Sequence, residues 1–97
     1  IACGNDYLAA GALSALSAAG LPVPSAMSVA SFNDNDFAPY LHPPLTTVRI
    51  PIREMGEQAA SQLLSRLSGQ DPGPTGLLPV ELKVRASTAA ASAQVAD

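Results

Sequence analysis

The stretch PPLTTVRIP, residues 43–51, decides how the rest of the chain is organised. Its three prolines, Pro43, Pro44 and Pro51, fix φ and donate no backbone hydrogen bond, which excludes a helix and disfavours a strand paired on both edges. The β-branched residues between them favour extended chain. We therefore predict an extended strap between two bodies, unsuited to the centre of a sheet.

Composition limits the size and class of the protein. With 97 residues the chain is one small domain at most, and only four residues are aromatic, so a large independent core is not expected. The net charge is −3 and the basic residues stand singly, which gives no pattern for gripping a phosphate backbone. Cys3 is the only cysteine, which excludes an intrachain disulfide and favours a reducing, cytoplasmic compartment. No stretch has the pattern of a signal peptide or a membrane span.

The first third of the chain has the pattern of a βαβ unit. A short apolar run at residues 1–3 precedes a predicted helix over residues 7–19. A strand is predicted over residues 27–32, buried on both faces. The apolar stripe of the helix is predicted from residues spaced by three and four, Leu8, Ala12, Leu16 and Ala19, with Leu13 beside them. Gly20 and Pro22 are predicted to end the helix.

Two Asn-Asp pairs follow the two strands of this unit. Asn5 and Asp6 come after the first strand, and Asn33 and Asp34 come after the second. The carboxyl ends of parallel strands meet at one edge of a sheet, where ligands bind in open α/β folds. The sequence therefore predicts that both pairs reach one ligand. The alternative is that they serve only as turn and helix-cap residues.

The second half predicts another helix and a strand with one solvated face. The helix covers residues 52–68, with Arg53 and Glu57 spaced for an ion pair and Gly69 as its end. Residues 78–85 alternate apolar and polar side chains, as a half-buried strand does. Residues 89–97 are low in complexity and are predicted to form a disordered tail.

Taken together, these motifs resemble the C-terminal part of a LacI/GalR-family transcriptional regulator, over residues 1–88. The resemblance is carried by Asn5-Asp6, Ala9, Gly11-Ala12, Leu16, Gly20-Leu21, Val23-Pro24, Ser28-Val29, Phe32-Asn33-Asp34, Pro43-Pro44-Leu45-Thr46-Thr47-Val48, Met55-Gly56, Ala59, Leu63-Leu64, Glu81-Leu82, Val84-Arg85 and Ser87-Thr88. It implies an α/β fold of the periplasmic-binding-protein-like type I class, a parallel sheet with flanking helices, of which this chain holds parts of two lobes. Residues 1–46 would belong to the C-terminal lobe, 47–76 would be a hinge strand and a helix of the N-terminal lobe, and 77–88 would return to the C-terminal lobe.

The family pattern also implies roles for particular residues. The strap becomes a hinge strand that bends around Thr46 and Thr47. Asn5 is expected to contact a small effector, a sugar or a related polar metabolite, with Asp6 beside it or capping the helix. Asn33 is the next contact, although the family usually has Asp there, and an amide forgoes the charge-assisted bond of a carboxylate.

Dimerisation and DNA binding follow from the same resemblance. A homodimer interface is implied at Ala10, Ser14, Tyr40 and Leu41. The alternative is that Tyr40 and Leu41 cover their own lobe. Operator DNA would be bound only through a helix-turn-helix domain outside this chain, and no membrane partner is implied.

No motif indicates an enzyme, a cofactor or a metal site. Asp34 and Asp36 have no second acidic cluster or histidine at ligand spacing, and His42 stands alone. Three functions are left open: a ligand-responsive DNA-binding regulator, a periplasmic solute-binding receptor of similar fold, and a truncated piece without activity. We also expect the isolated 97 residues to expose strand edges and to fold poorly.

Overall fold

A computed structural model of the protein describes residues 1–74 and 76–91. Its elements are α1 (Asp6–Ala18), β1 (Ala30–Asn33), a 3-10 turn (Ala38–Tyr40), β2 (Thr46–Arg49), α2 (Ile52–Leu67) and β3 (Glu81–Lys83). The strands form one sheet in the order β1-β2-β3, in which β1 and β2 are parallel and β3 is antiparallel to β2. The predicted α/β class is confirmed, and β3 adds an antiparallel strand to the parallel pair of β1 and β2. The predicted tail falls mostly on residues 92–97, which lie outside the described residues.

The predicted βαβ unit is present at the N-terminus. Ala2 forms a parallel bridge with Ala30 in β1. The amide of Cys3 donates to the carbonyl of Ala30 at 2.8 Å, and the amide of Ala30 donates to the carbonyl of Ile1 at 3.0 Å. The first residues therefore run alongside β1, and α1 makes the crossover between them.

Helix α1 is rotated from the predicted orientation. Ala9 and Leu13 are buried and Leu16 packs on the core, whereas Leu8 is 59% exposed, so the predicted stripe was right for Leu13 and Leu16 and wrong for Leu8. The inward face begins with Asp6, which is completely buried and lies three and seven residues before Ala9 and Leu13. A buried carboxylate therefore decides the rotation of the helix, and an apolar pattern alone does not contain that information.

Strand β2 occupies the centre of the sheet, so the prediction that residues 43–51 suit no central strand was wrong. The residues Thr46–Arg49 pair with β1 on one side, and three of them pair with β3 on the other. Pro44 and Pro51 lie outside the paired residues, so neither removes a hydrogen bond from the ladder.

The outer strands are shorter than predicted, and one face of the sheet is exposed. β1 covers Ala30–Asn33 and β3 only Glu81–Lys83. Phe32, which was expected to be buried, is 44% exposed, and Leu82 is 61% exposed. Both pair with Val48, so the three side chains share the face opposite α1.

Helix α2 has the predicted ends but no buried residue. Arg53 donates to Glu57 at 3.0 Å, and Gly69 adopts φ 80° immediately after the C-cap, as the sequence indicated. The apolar side of the helix is uncovered, since its large apolar side chains are 49–75% exposed: Ile52, Met55, Leu63, Leu64 and Leu67. Within the described residues, no helix is long and apolar enough to span a bilayer.

The core is small and lies between α1 and β1. It consists of Ala9, Leu13, Val29, Ala38 and Leu45, with Cys3, Leu16, Val23 and Leu41 packed at its border. The core therefore holds together the N-terminal run, α1, β1 and the start of β2.

Candidate ligand-binding site

Three polar residues form a row where neighbouring strands end. Ala2 is bridged to Ala30, and Ala30 pairs with Thr46. Each of these residues is followed three positions later by a polar residue: Asn5 after Ala2, Asn33 after Ala30 and Arg49 after Thr46. The parallel register therefore places both predicted asparagines at one edge of the sheet, with a cationic residue next to Asn33.

Asp6 connects the turns that carry the two asparagines. Its carboxylate accepts hydrogen bonds from the hydroxyls of Ser31 and Thr47, the latter at 2.9 Å, and from the amide of Asn35. Asp6 is completely buried, so these bonds tie α1, β1 and β2 together without contact to solvent. Its carboxylate faces the sheet, and its predicted contact with an effector stays untested.

Asn5 has one end of its side chain engaged and one end available. Its Oδ1 accepts from the amide of Leu8 at 2.9 Å and caps α1, while its backbone is extended, with φ −155°. Within the described residues the amide nitrogen of Asn5 makes no hydrogen bond, and the residue is partly exposed. The cap therefore orients the side chain without using its donor.

Asn33 and Asp34 form a turn with left-handed backbone. Their φ values are 110° and 55°, a region that asparagine and aspartate tolerate better than most residues. The amide of Asp34 donates to Thr47 at 3.2 Å, and its carboxylate accepts from Arg85 at 2.7 Å. The turn is therefore held through Asp34, while the side chain of Asn33 is partly exposed.

The segment after β3 is bound to the starts of β1 and β2. The hydroxyl of Ser87 accepts from the amide of Thr46 at 2.8 Å and donates to the carbonyl of Val29 at 2.6 Å. The amide of Arg85 and the hydroxyl of Thr88 both contact the hydroxyl of Thr46. This segment therefore forms part of the same body as α1 and β1.

A groove opens beyond the end of β2. It has a volume of about 600 Å³ and includes Arg49, Ile52 and Glu81 in its lining. A hydrogen bond from Lys83 lowers the pKa of the Glu81 carboxyl, so this side chain is ionised at neutral pH, next to its cross-strand neighbour Arg49. The groove starts one strand away from Asn33 and is large enough for a small polar ligand.

The other predicted residues lie on the surface or within β2. Thr46 and Thr47, the predicted hinge, are buried in β2 with bonded hydroxyls. Of the predicted dimer residues, Ser14 is exposed and Tyr40 is 80% exposed, while Ala10 and Leu41 are partly buried. Leu41 packs on the core of its own body, and Tyr40 does not.

Sequence reasoning missed the supporting role of three residues. Ser31, Thr47 and Arg85 bond to Asp6 or Asp34 at the edge where Asn5 and Asn33 lie. Thr47 was predicted only as a hinge residue, and Arg85 only as one of the residues that carry the resemblance. The available signal was Ser31, a polar residue inside a predicted buried strand. Within residues 1–74 and 76–91, no group of three or more acidic, histidine or cysteine side chains could hold a metal ion.

Comparison with known proteins places residues 1–88 in the family described as periplasmic binding protein-like domain. The chain is 42% identical over 93 residues to the lactose operon repressor of Rhizobium radiobacter, covering 96% of this chain and 82% of that protein. It is 41% identical to the HTH-type transcriptional regulator MalR of Streptomyces coelicolor, covering 94% of this chain and 27% of that regulator. The chain thus spans about a quarter of the length of MalR.

A solved structure shares the fold as well as the sequence. It is the lac repressor dimer bound to operator and the anti-inducer ONPF, which matches with a TM-score of 0.81 and 35% identity. The match covers 92% of this chain and 31% of the repressor chain.

Proposed function

We propose that this chain, which belongs to the LacI/GalR family of transcriptional regulators and carries their periplasmic-binding-protein-like domain, forms part of the effector-binding unit of a DNA-binding regulator. The observation that carries the proposal is the row of Asn5, Asn33 and Arg49 at the carboxyl edge of parallel strands. This edge is where open α/β folds bind ligands. No chemical step on the ligand is part of the proposal, because the hydroxyls that bond the Asp6 carboxylate, those of Ser31 and Thr47, are buried.

The ligand best suited to this edge is a small polar molecule with hydroxyl groups, such as a sugar. An amide both donates and accepts hydrogen bonds, so Asn5 and Asn33 match hydroxyls, which do the same. Each neutral hydrogen bond contributes about 0.5–1.5 kcal/mol, and each partner left unpaired costs about 1–3 kcal/mol. Asn33, which stands where the family usually has a carboxylate, favours a ligand that offers an acceptor as well as donors.

The effector would act by shifting the arrangement of two lobes. The body of α1 and β1 is one lobe, and α2, with its uncovered apolar side, belongs to the other. The chain passes between them through β2, which contains the proposed hinge residues Thr46 and Thr47. Because both threonines are bonded to the first lobe, we place the bend on the C-terminal side of Thr47. A ligand shifts this equilibrium only by its difference in affinity for the two arrangements.

Two copies would pair through the first lobe, and the paired lobes would set the spacing of the DNA-binding heads. Tyr40 is 80% exposed beside Leu41, and the small residues Ala10 and Ser14 permit close approach of a second helix. The structurally similar lac repressor is a dimer on its operator. Operator contacts would come from a domain outside this chain.

Titration of the intact protein tests the ligand and the role of Asn5 together. Lactose and a panel of neutral mono- and disaccharides are added to the wild type, Asn5→Ala and Asn5→Asp, with binding followed by calorimetry. Aspartate retains the helix cap but lacks the amide donor. We expect both variants to lose about tenfold or more in affinity for the bound sugar, the effect of removing one donor from a buried contact.

The free energy of unfolding of the same variants separates the loss of the helix cap from the loss of a contact with the ligand. Asn5→Ala should destabilise the fold by about 1 kcal/mol and Asn5→Asp hardly at all. Gln70→Ala, which removes an exposed amide beyond α2, serves as the control and should change neither quantity. Unchanged affinity in both Asn5 variants would remove Asn5 from the site, and a wild type that binds none of the panel would reject the sugar class.

A further inference from the structure

We propose that Arg85 is a positioning residue of the effector site: through its ion pair with Asp34 it holds the turn that presents Asn33. The inference rests on the proposed function, because Asn33 is the proposed contact with the ligand. Arg85 lies 51 positions after Asp34 in the sequence.

The geometry of Arg85 is that of a clamp with two contacts. Nη2 donates to Oδ1 of Asp34 at 2.7 Å, and Nη1 donates to the carbonyl of Leu45 at 2.8 Å. The guanidinium thus bridges the end of β1 and the start of β2. The side chains of Arg85 and Asp34 are only 19% and 8% exposed, so water screens this pair less than a surface pair.

The turn at Asn33 needs such a clamp because of its backbone. Asn33 and Asp34 both have positive φ, a conformation that non-glycine residues keep only when their surroundings impose it. Three contacts impose it here: Arg85 on the carboxylate of Asp34, Thr47 on its amide, and Asp6 on the amide of Asn35. Arg85 is the only one of these three partners on the segment that follows β3.

The position of Arg85 also makes the clamp sensitive to the arrangement of the lobes. Its backbone amide is bonded to the hydroxyl of Thr46, and the amide of Ala86 donates to the carbonyl of Pro44 at 3.0 Å. Lys83, two residues before Arg85, belongs to β3 and pairs with Thr47. Arg85 therefore lies where the segment after β3 contacts the strap, residues 43–51. A displacement of that segment would be transmitted to the turn at Asn33 through the ion pair of Arg85 with Asp34.

Hydrogen exchange tests the clamp without any ligand. In the intact protein, Arg85→Met removes both guanidinium contacts and keeps the length of the side chain. The amides of Asp34 and Asn35 should then exchange roughly tenfold to a hundredfold faster, as expected when a hydrogen bond to a charged group is lost. Arg66→Met, at an exposed arginine on the last turn of α2, is the matched control and should leave this segment unchanged. Where Arg85→Met yields little folded protein, Asp34→Asn removes the charge of the pair with the same expected result.

A double-mutant cycle distinguishes positioning from a general structural role. Lactose and the panel of neutral saccharides are titrated into Arg85→Met, Asn33→Ala and the double variant. If Arg85 acts through Asn33, its substitution weakens binding about tenfold in the wild type and has little further effect when Asn33 is already alanine. Arg85→Lys, which keeps the charge but not the fork, should recover part of the affinity.

The outcomes separate this inference from the proposed function. Unchanged exchange of residues 33–36 in Arg85→Met overturns the clamp, whether or not a saccharide binds. Faster exchange with additive losses of affinity also overturns it, because Arg85 then acts independently of Asn33. Faster exchange in a protein that binds no saccharide supports the clamp and rejects the sugar ligand instead.

Discussion

Replacing Asp6 by alanine should destabilise the protein strongly, because its buried carboxylate is the shared acceptor of three donors. These are the hydroxyls of Ser31 and Thr47 and the amide of Asn35. The two hydroxyl oxygens lie 3.3 Å apart, so without Asp6 one hydroxyl can donate to the other. One hydroxyl and one amide then lack a partner.

The expected loss follows from those two donors. A buried donor left without an acceptor costs about 1–3 kcal/mol, and the Asn35 amide is only partly buried, so water replaces part of its bond. The sum is about 2–4 kcal/mol, a large share of the 5–15 kcal/mol typical of a folded protein. Asp6→Asn keeps one carbonyl oxygen at the same place, and we expect it to lose roughly half as much.

Urea unfolding of the intact protein, followed by circular dichroism, measures this loss as a shift in the transition midpoint. Asp36→Ala is the control, since Asp36 is an exposed carboxylate in the same loop and should stay within about 0.5 kcal/mol of the wild type. If Asp6→Ala is no more destabilising than Asp36→Ala, the buried carboxylate does not anchor α1 to the sheet.

Two further substitutions address the body around β2 and the proposed dimer. Ser87→Ala removes a buried hydroxyl that bonds both Thr46 and Val29, and should cost about 2–4 kcal/mol in the same unfolding assay, whereas the exposed Ser61→Ala should cost almost nothing; equal effects would refute this role. Tyr40→Asp places a charge in the proposed interface at a side chain that is 80% exposed and does not pack on the core, and sedimentation of the intact protein should show dissociation into monomers, whereas an unchanged dimer would put the interface elsewhere.

Local signals in the sequence predicted the ends of the helices well. Asn5 caps α1, and Gly20 and Gly69 adopt positive φ just beyond the two helices. These features depend on residues within about four positions of each other, so the sequence contains the whole interaction. The βαβ order and the shared edge of the two Asn-Asp pairs followed from the chain order of the elements.

Predictions that depended on distant contacts were less successful. The stripe of α1 was misplaced because Asp6, a polar residue, lies on its buried face. Phe32 was expected to be buried, yet α1 covers only the other face of β1. Residues 43–51 were predicted to be unsuited to a central strand because their prolines cannot donate hydrogen bonds. The prolines lie outside the paired residues, which are only Thr46–Arg49.

The sequence by itself determined where the helices begin and end and which polar turns follow the parallel strands, since these depend on neighbours along the chain. Only the tertiary structure decided which face of α1 is buried, that β2 is central, and that Arg85 supports the turn at Asn33. The reason is physical: the bonds from Asp6 to Ser31 and Thr47 and from Arg85 to Asp34 join residues 25, 41 and 51 positions apart. Such partners are chosen by packing in three dimensions, and no periodicity along the chain encodes them.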